Sequence, residues 1–188
     1  MLAVGCHYKG EIKYSFAGGK VTCEDNSGGG LVGKNDEGLI HSSYAAGEVT
    51  GNERIGGLVG YNNQGSISSS YAVGTARGNE RVGGLVGEKH AGQIINSYAI
   101  GPVNVLDEEA RYYGGLTGSN YSSITNSYYN TITTGMDDTG KGEPRNTSEM
   151  TYPYAENTYV DWDFSTVWQA GEDYTFNNGY PFLQWQDR

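Results

Sequence analysis

The chain has 188 residues, 36% of them hydrophobic, with 30 Gly, 16 Tyr, 4 Phe and a formal net charge of −10. That length suits one domain with a modest core; the glycine excludes a helical protein and the tyrosine a disordered tail, which leaves short strands and tight turns. The acidity excludes nucleic acid and anionic membrane as partners, since neutralising phosphate needs clustered Lys and Arg, and no apolar run reaches the eighteen or so residues needed for membrane insertion.

Residues 1–6, MLAVGC, have the outline of a lipoprotein cleavage site but lack the basic start and long apolar stretch that such a signal needs. Leu2-Ala3-Val4-Gly5 instead lies 28 residues before Gly30-Leu31-Val32-Gly33 (30 − 2), so the chain reads as starting inside a repeat and as part of a larger covalent chain. Two cysteines, Cys6 and Cys23, match no zinc spacing; they form either a single bridge or ordinary thiols.

A unit then recurs with little drift. Its openings, Gly30-Leu31-Val32-Gly33, Gly57-Leu58-Val59-Gly60, Gly84-Leu85-Val86-Gly87 and Gly115-Leu116-Thr117-Gly118, are spaced 57 − 30 = 27, 84 − 57 = 27 and 115 − 84 = 31 residues. A fixed period of this size marks a solenoid or array, and a degenerate copy at residues 10–18 makes about five coils. Stacked, they give columns: Ile12, Ile40, Ile67, Ile94, Ile124; Phe16, Tyr44, Tyr71, Tyr98, Tyr128; Leu31, Leu58, Leu85, Leu116; Val21, Val49, Ala76, Val103. Such columns predict an all-β fold, a parallel β-solenoid in which each strand pairs in register with its copy one coil away.

Within SISSSYA, residues 66–72, no 3.6-residue period exists. Alternation predicts Ile67, Ser69, Tyr71 and Val73 on the inner face, with Ser68, Ser70 and Ala72 outside. On that reading Ser42, Ser69, Asn96 and Asn126 bond to one another along their column or to a corner's backbone. The Gly pairs (Gly29-Gly30, Gly56-Gly57, Gly83-Gly84, Gly114-Gly115) either adopt positive φ or admit close backbone. Glu53-Arg54 and Glu80-Arg81 form near-identical corners that stack like on like.

Residues 102–113 lengthen the spacing and carry a charge cluster with Tyr112 and Tyr113, the outward, variable loop. After Asn130 the pattern stops, dividing the chain into repeats (1–130) and a loop with a C-terminal aromatic-rich cap (131–188). Asn146-Thr147-Ser148-Glu149-Met150 reads as a short helix opened by a Ser or Thr cap. Trp162, Phe164, Trp168, Tyr180, Phe182 and Trp185 then gather aromatic mass to protect an otherwise open strand edge.

Gly-Gly-Leu-Val-Gly followed by Ile-x-x-Ser-Tyr-Ala-x-Gly, in four spaced copies over residues 2–129, resembles the GLUG motif family, and the tail is similar to the segment that often closes such arrays. The resemblance implies an extracellular or cell-surface bacterial β-solenoid, of a kind found in adhesin-like proteins and beside the zinc peptidase domain of immunoglobulin A proteases. It places no catalytic residue on this chain.

Chemistry sought directly is sparse. His7, His41 and His90 have no His-Glu-x-x-His context, and no phosphate-cradling Gly-x-x-x-x-Gly-Lys-Ser/Thr exists. The acids Asp36-Glu37, Asp107-Glu108-Glu109, Asp137-Asp138 and Asp161/Asp163 lack dedicated calcium-loop spacing and read as solvated charge, so neither metal nor cofactor is expected. Acids confined to variable corners argue against the paired carboxylates of a glycan-cleaving enzyme. The expectation is a non-enzymatic adhesion scaffold or stalk, with Tyr112, Tyr113, Trp162, Trp168 and Trp185 as ligand-contact candidates and a host or surface protein or glycan as partner. The alternatives are an accessory region of a larger surface enzyme or a glycan-active β-helix.

Overall fold

A computed structural model describes residues 4–24, 26–107 and 109–187. Leu2 and Ala3 of the first repeat alignment, and Glu108 of the acidic loop, lie outside the described residues.

The chain winds into a stack of coils walled by five parallel sheets. Wall one is Val4–Tyr8, Val32–Asp36, Val59–Asn63, Val86–Lys89 and Thr117–Asn120; wall two is Glu11–Lys13, Leu39–His41, Ser66–Ser68, Gln93–Ile95 and Ile124–Thr125. Wall three is Phe16–Ala17, Tyr44–Ala45, Tyr71–Ala72, Tyr98–Ala99, Tyr128–Asn130 and a sixth strand, Glu143–Arg145. Wall four is Val21–Thr22, Val49–Thr50, Ala76–Gly78 and Val103–Val105; wall five is Gly28–Gly29, Glu53–Gly56, Glu80–Gly83 and Tyr113–Gly114. Register is that of the columns: Val59 lies between Val32 and Val86, Ile67 between Ile40 and Ile94, Tyr71 between Tyr44 and Tyr98.

The interior holds two apolar compartments. The larger joins the Leu31, Val32, Ile40 and Ala45 columns, and the smaller joins Val49, Ile55, Ala76, Val82 and Val103. The glycine pairs serve close approach, for none of them has positive φ. A Cβ on Gly56 would run into the Val59 carbonyl and stand 2.7 Å from the Gly87 nitrogen, and one on Gly57 would strike the Gly84 carbonyl.

The tyrosine column does not face inward. Ser42, Ser69, Asn96 and Asn126 sit in the left-handed region (φ 48, 44, 48 and 45°), and this corner breaks the expected strand in two and shifts the alternation by one residue. Ile67 and Ala72 therefore share the interior, while Tyr71, Tyr98 and Tyr128 project from the flank. The continuous polar ladder likewise belongs to the next column. The backbone N–H groups of Ser43, Ser70 and Ser97 each donate to the hydroxyl of the serine one coil on (3.2, 3.2 and 3.1 Å). Each of these hydroxyls donates to the carbonyl two residues earlier, so the serine ladder pairs the backbone N–H groups that leave the corner.

The C-terminal covering comes in two pieces. Tyr129 replaces the inward alanine in the last coil and Met136 packs on both compartments, closing the end. Between them α1 (Thr131–Thr134) is capped by the Asn130 side chain, which accepts from the Ile132 and Thr133 N–H groups. Residues 146–187 instead run back along the flank over the tyrosines. This strap opens with α2 (Thr147–Met150), whose cap is Asn146 in a capping box with Glu149. It includes an antiparallel ribbon of Trp168–Gln169 with Phe182–Leu183.

Candidate functional site

On the flank, stacked tyrosines 4.9 Å apart (Tyr44, Tyr71, Tyr98) meet the strap's indoles. Trp168 is fully buried against Tyr71 and Tyr98 and stacks on Trp162 at 4.4 Å. The Tyr98 hydroxyl donates to the Pro181 carbonyl (2.7 Å), and Trp162 donates to the carbonyl of corner residue Asn126 (2.9 Å). Burial without charge compensation raises the pKa of Tyr71, Tyr98 and Tyr159 well above the ordinary phenol value.

At the N-terminal end of this seam the covering thins. Trp185 donates to the carbonyl of corner residue Ser42 (2.8 Å) and lies 6.4 Å, edge to face, from Tyr14. Tyr14 occupies the first left-handed corner (φ 49°), the position held by Ser or Asn in the later coils. Tyr14, Ser42, Thr166, Val167, Gln184 and Trp185 enclose a cleft of about 400 Å³. Beside it the His41 Nε2 meets the Glu11 carboxylate at 3.0 Å, a contact that with Lys13 lowers the Glu11 pKa.

The five residues singled out in the sequence fall in three places. Trp162 and Trp168 are buried, since their rings fill the space between strap and tyrosine ladder, and present no face to a ligand. Trp185 is half-buried at the cleft just described. Tyr112 and Tyr113 are exposed on the loop, Tyr112 beneath the Arg81 guanidinium (5.1 Å). Tyr113 lines a second, open cleft of about 400 Å³ with Val103, Val105 and Met136, and its carbonyl accepts from Lys141 Nζ (2.8 Å). Sequence reasoning missed Tyr14, Ser42 and Gln184. Tyr14 was legible as the one aromatic in a column of small polar corners.

The acids do converge in one place, but around arginine. Glu88, 8% exposed, meets Arg54 Nε at 2.6 Å and Arg81 Nε at 3.2 Å, and Arg81 also pairs with Glu53 and Glu80. Glu53 stacks on Glu80 in register as the corners implied. Both guanidiniums thus lie among these carboxylates and hold them in ion pairs. Asp36 is held by Lys34 and Asn63, Glu37 by Lys9, and Asp163 by Ser165 and Thr166. Asp138 is turned inward, accepting from the Gly115 N–H (2.7 Å), and burial raises its pKa. No three His, Cys, Asp or Glu side chains gather as a metal site among the described residues, and Cys6 and Cys23 are not bridged.

Residues 51–77 match the GLUG motif. Over 183 residues, 95% of this chain, the sequence is 37% identical to a protein of Evansella cellulosilytica that carries the provisional name Gly-rich membrane protein. The chain spans 15% of that relative's length. The crystal structure of a protein from Bacteroides ovatus, provisionally described as an immunoglobulin A1 protease, superposes on 93% of this chain with a TM-score of 0.71 at 22% identity, the match covering 57% of the solved chain. Among the described residues no helix is long and apolar enough to cross a membrane. With the motif matched at residues 51–77 and its columns continued through five stacked coils, this chain is a β-solenoid that carries the GLUG motif.

Proposed function

We propose that the chain is a non-catalytic binding module of a larger bacterial cell-surface protein: a rigid rod that presents aromatic clefts and a loop to a host or surface protein or glycan. The observation that carries this is the use of the tail. Residues 146–187 lock the flank, leaving Tyr14, Trp185, Tyr112 and Tyr113 at the surface of a scaffold whose acids are taken up in ion pairs and turns. A surface location accords with the Evansella relative's name and with this chain being a small part of that protein's length. Display of the 188-residue chain on an array of glycans and extracellular matrix proteins is expected to give saturable binding to at least one class. Uniform background would reduce its role to that of a spacer.

A second reading, an accessory solenoid positioning the catalytic domain of a surface zinc peptidase, is favoured by the Bacteroides likeness. The flanking reading frame separates the two: His-Glu-x-x-His nearby supports the accessory reading, and a cell-wall anchor with no such motif supports the first.

A further inference from the structure

We propose that the cleft lined by Tyr14 and Trp185 binds a neutral, equatorially substituted pyranose, a β-linked glucosyl or N-acetylglucosaminyl unit, with the two rings as adjoining walls and the Ser42 hydroxyl as an anchor. This rests on the binding-module reading and gives it a site and a ligand class.

The first support is the lining. Tyr14, Ser42, Thr166, Val167, Gln184 and Trp185 are all uncharged. Of the acids close in sequence to the lining, Glu11 is engaged with Lys13 and His41, and Asp163 with Ser165 and Thr166. Such walls offer nothing to a phosphate, a carboxylate or a cation. Aromatic faces joined to hydroxyl and amide groups suit a ligand with an apolar C–H face and a rim of hydroxyls, which is the shape of an equatorial pyranose. A cleft of about 400 Å³ is of the size that holds small ligands.

The second is unused hydrogen-bonding capacity. Ser42 is 7% exposed, its N–H and carbonyl are both paired, yet its hydroxyl has no partner among the described residues. The Tyr14 hydroxyl has none either. Gln184 Nε2 is held by the Trp168 carbonyl (3.1 Å), which fixes the amide and leaves its oxygen without a partner among the described residues. The Ser42 hydroxyl thus opens on the cleft with donor and acceptor capacity that the corner itself does not use.

The third is the backbone. Ser42, Ser69, Asn96 and Asn126 hold the corner with small polar side chains, and Asn in particular tolerates the left-handed region. Tyr14 takes the same conformation with a large aromatic that is 59% exposed. Folding gains little from that choice. The ring's contacts are with Trp185 and His41, at the cleft.

The test uses the 15N-labelled 188-residue chain, whose three indole N–H signals (Trp162, Trp168, Trp185) report separately. Cellobiose and N,N′-diacetylchitobiose are titrated to about 50 mM, spanning the weak affinities expected of so small a contact. The Trp185 signal is expected to move saturably while Trp162 and Trp168 stay still. Tyr14→Asn installs the side chain the column already uses, so it should melt no lower than the parent while weakening binding about tenfold, the worth of one aromatic contact. No saturable movement with either sugar, movement of all three indoles together, or parental affinity in Tyr14→Asn would each overturn the proposal. A protein ligand found on the array together with silent sugar titrations would end this inference and leave the binding-module reading standing.

Discussion

Ala72 and Tyr71 are neighbours in sequence, and both are buried, but by different parts of the chain. Ala72 is covered by its own coil and the coils on either side, with the Ile67 and Leu58 columns across the interior. Tyr71 is covered by a segment about a hundred residues away, through Trp168 and the Gln186 side chain. The interior is thus a property of repetition, since any coil with like neighbours acquires it. The flank is a property of the strap, and without it the same tyrosines would form an exposed, stacked aromatic stripe.

The sharpest way to break the interior is to fill it. Gly56→Ala would drive a Cβ into the Val59 carbonyl with Gly87 and Leu85 backbone close behind, and backbone on three sides cannot step aside. The expected cost exceeds about 4 kcal/mol, enough to abolish a cooperative thermal transition in a domain of ordinary stability. A parental melt for this variant would show that the walls are not as closely apposed as the glycines require. The corresponding break on the flank is Trp168→Ala, which empties a fully buried site and should cost about 3–5 kcal/mol. The two variants differ in pattern. Amide exchange in Trp168→Ala should quicken across the strap and wall three while Leu58, Val59 and Leu85 stay protected, because the interior does not depend on the strap. Uniform loss of protection would mean that strap and solenoid fold as one unit.

That difference also separates what was legible in the sequence from what was not. The coil count, strand register and Leu, Ile and Val rows follow from the period, because a solenoid places equal residues over one another and the spacing states which are equal. The inside–outside assignment is reversed from one residue per coil onward, so that Ser70 and Ala72 turn inward and Tyr71 and Val73 to the flank. Alternation holds only while the chain stays extended, and the left-handed corner at Ser69 and its equivalents resets it. Ser and Asn are known corner residues, so the column Ser42, Ser69, Asn96, Asn126 carried the signal, but SISSSYA reads as one strand if the corner is ignored. The path of the strap was not legible at all, since nothing periodic ties Trp168 to Tyr71 or Trp185 to Ser42. The cleft lies where periodic and aperiodic parts meet, so only its Tyr14 side could have been found from the columns.

Lys89 sharpens the comparison from the interior side. It stands in the column of Asn35 and Asn62, which are buried and bonded to each other (2.7 Å), but its Nζ is buried without a hydrogen-bond partner. Burial lowers its pKa from 10.5 to about 8. Below pH 8 the amine is charged folded and unfolded, and the full penalty of burying it is present. Between about pH 8 and 10.5 the unfolded chain holds a proton that the folded chain has released, so stability from this group rises with pH. Lys89→Met should therefore stabilise the protein at pH 7 by roughly 3 kcal/mol, with the advantage fading across that window and gone above it. Denaturant melts at pH 7 and pH 10.5 would check this, and an equal difference at both would show that the amine does not titrate as its burial demands.

Tyr98→Phe gives the smallest effect and the opposite pH response. The hydroxyl donates to Pro181 O (2.7 Å) and accepts from Asn177 Nδ2 (2.6 Å), but Asn177 also bonds Pro181 O directly (2.8 Å), so neither partner is left wholly unpaired. The cost at pH 7 should be about 1 kcal/mol. Because burial raises the Tyr98 pKa above 10.0, the parent keeps this group's contribution below pH 10 and loses it above, where the unfolded chain ionises and the folded chain cannot. Phe carries no such liability, so the two melting curves should converge above pH 10 and then cross. A gap that stays constant to pH 11 would place the Tyr98 hydroxyl in water and undo the claim that the strap, and not the coil, is what buries the flank.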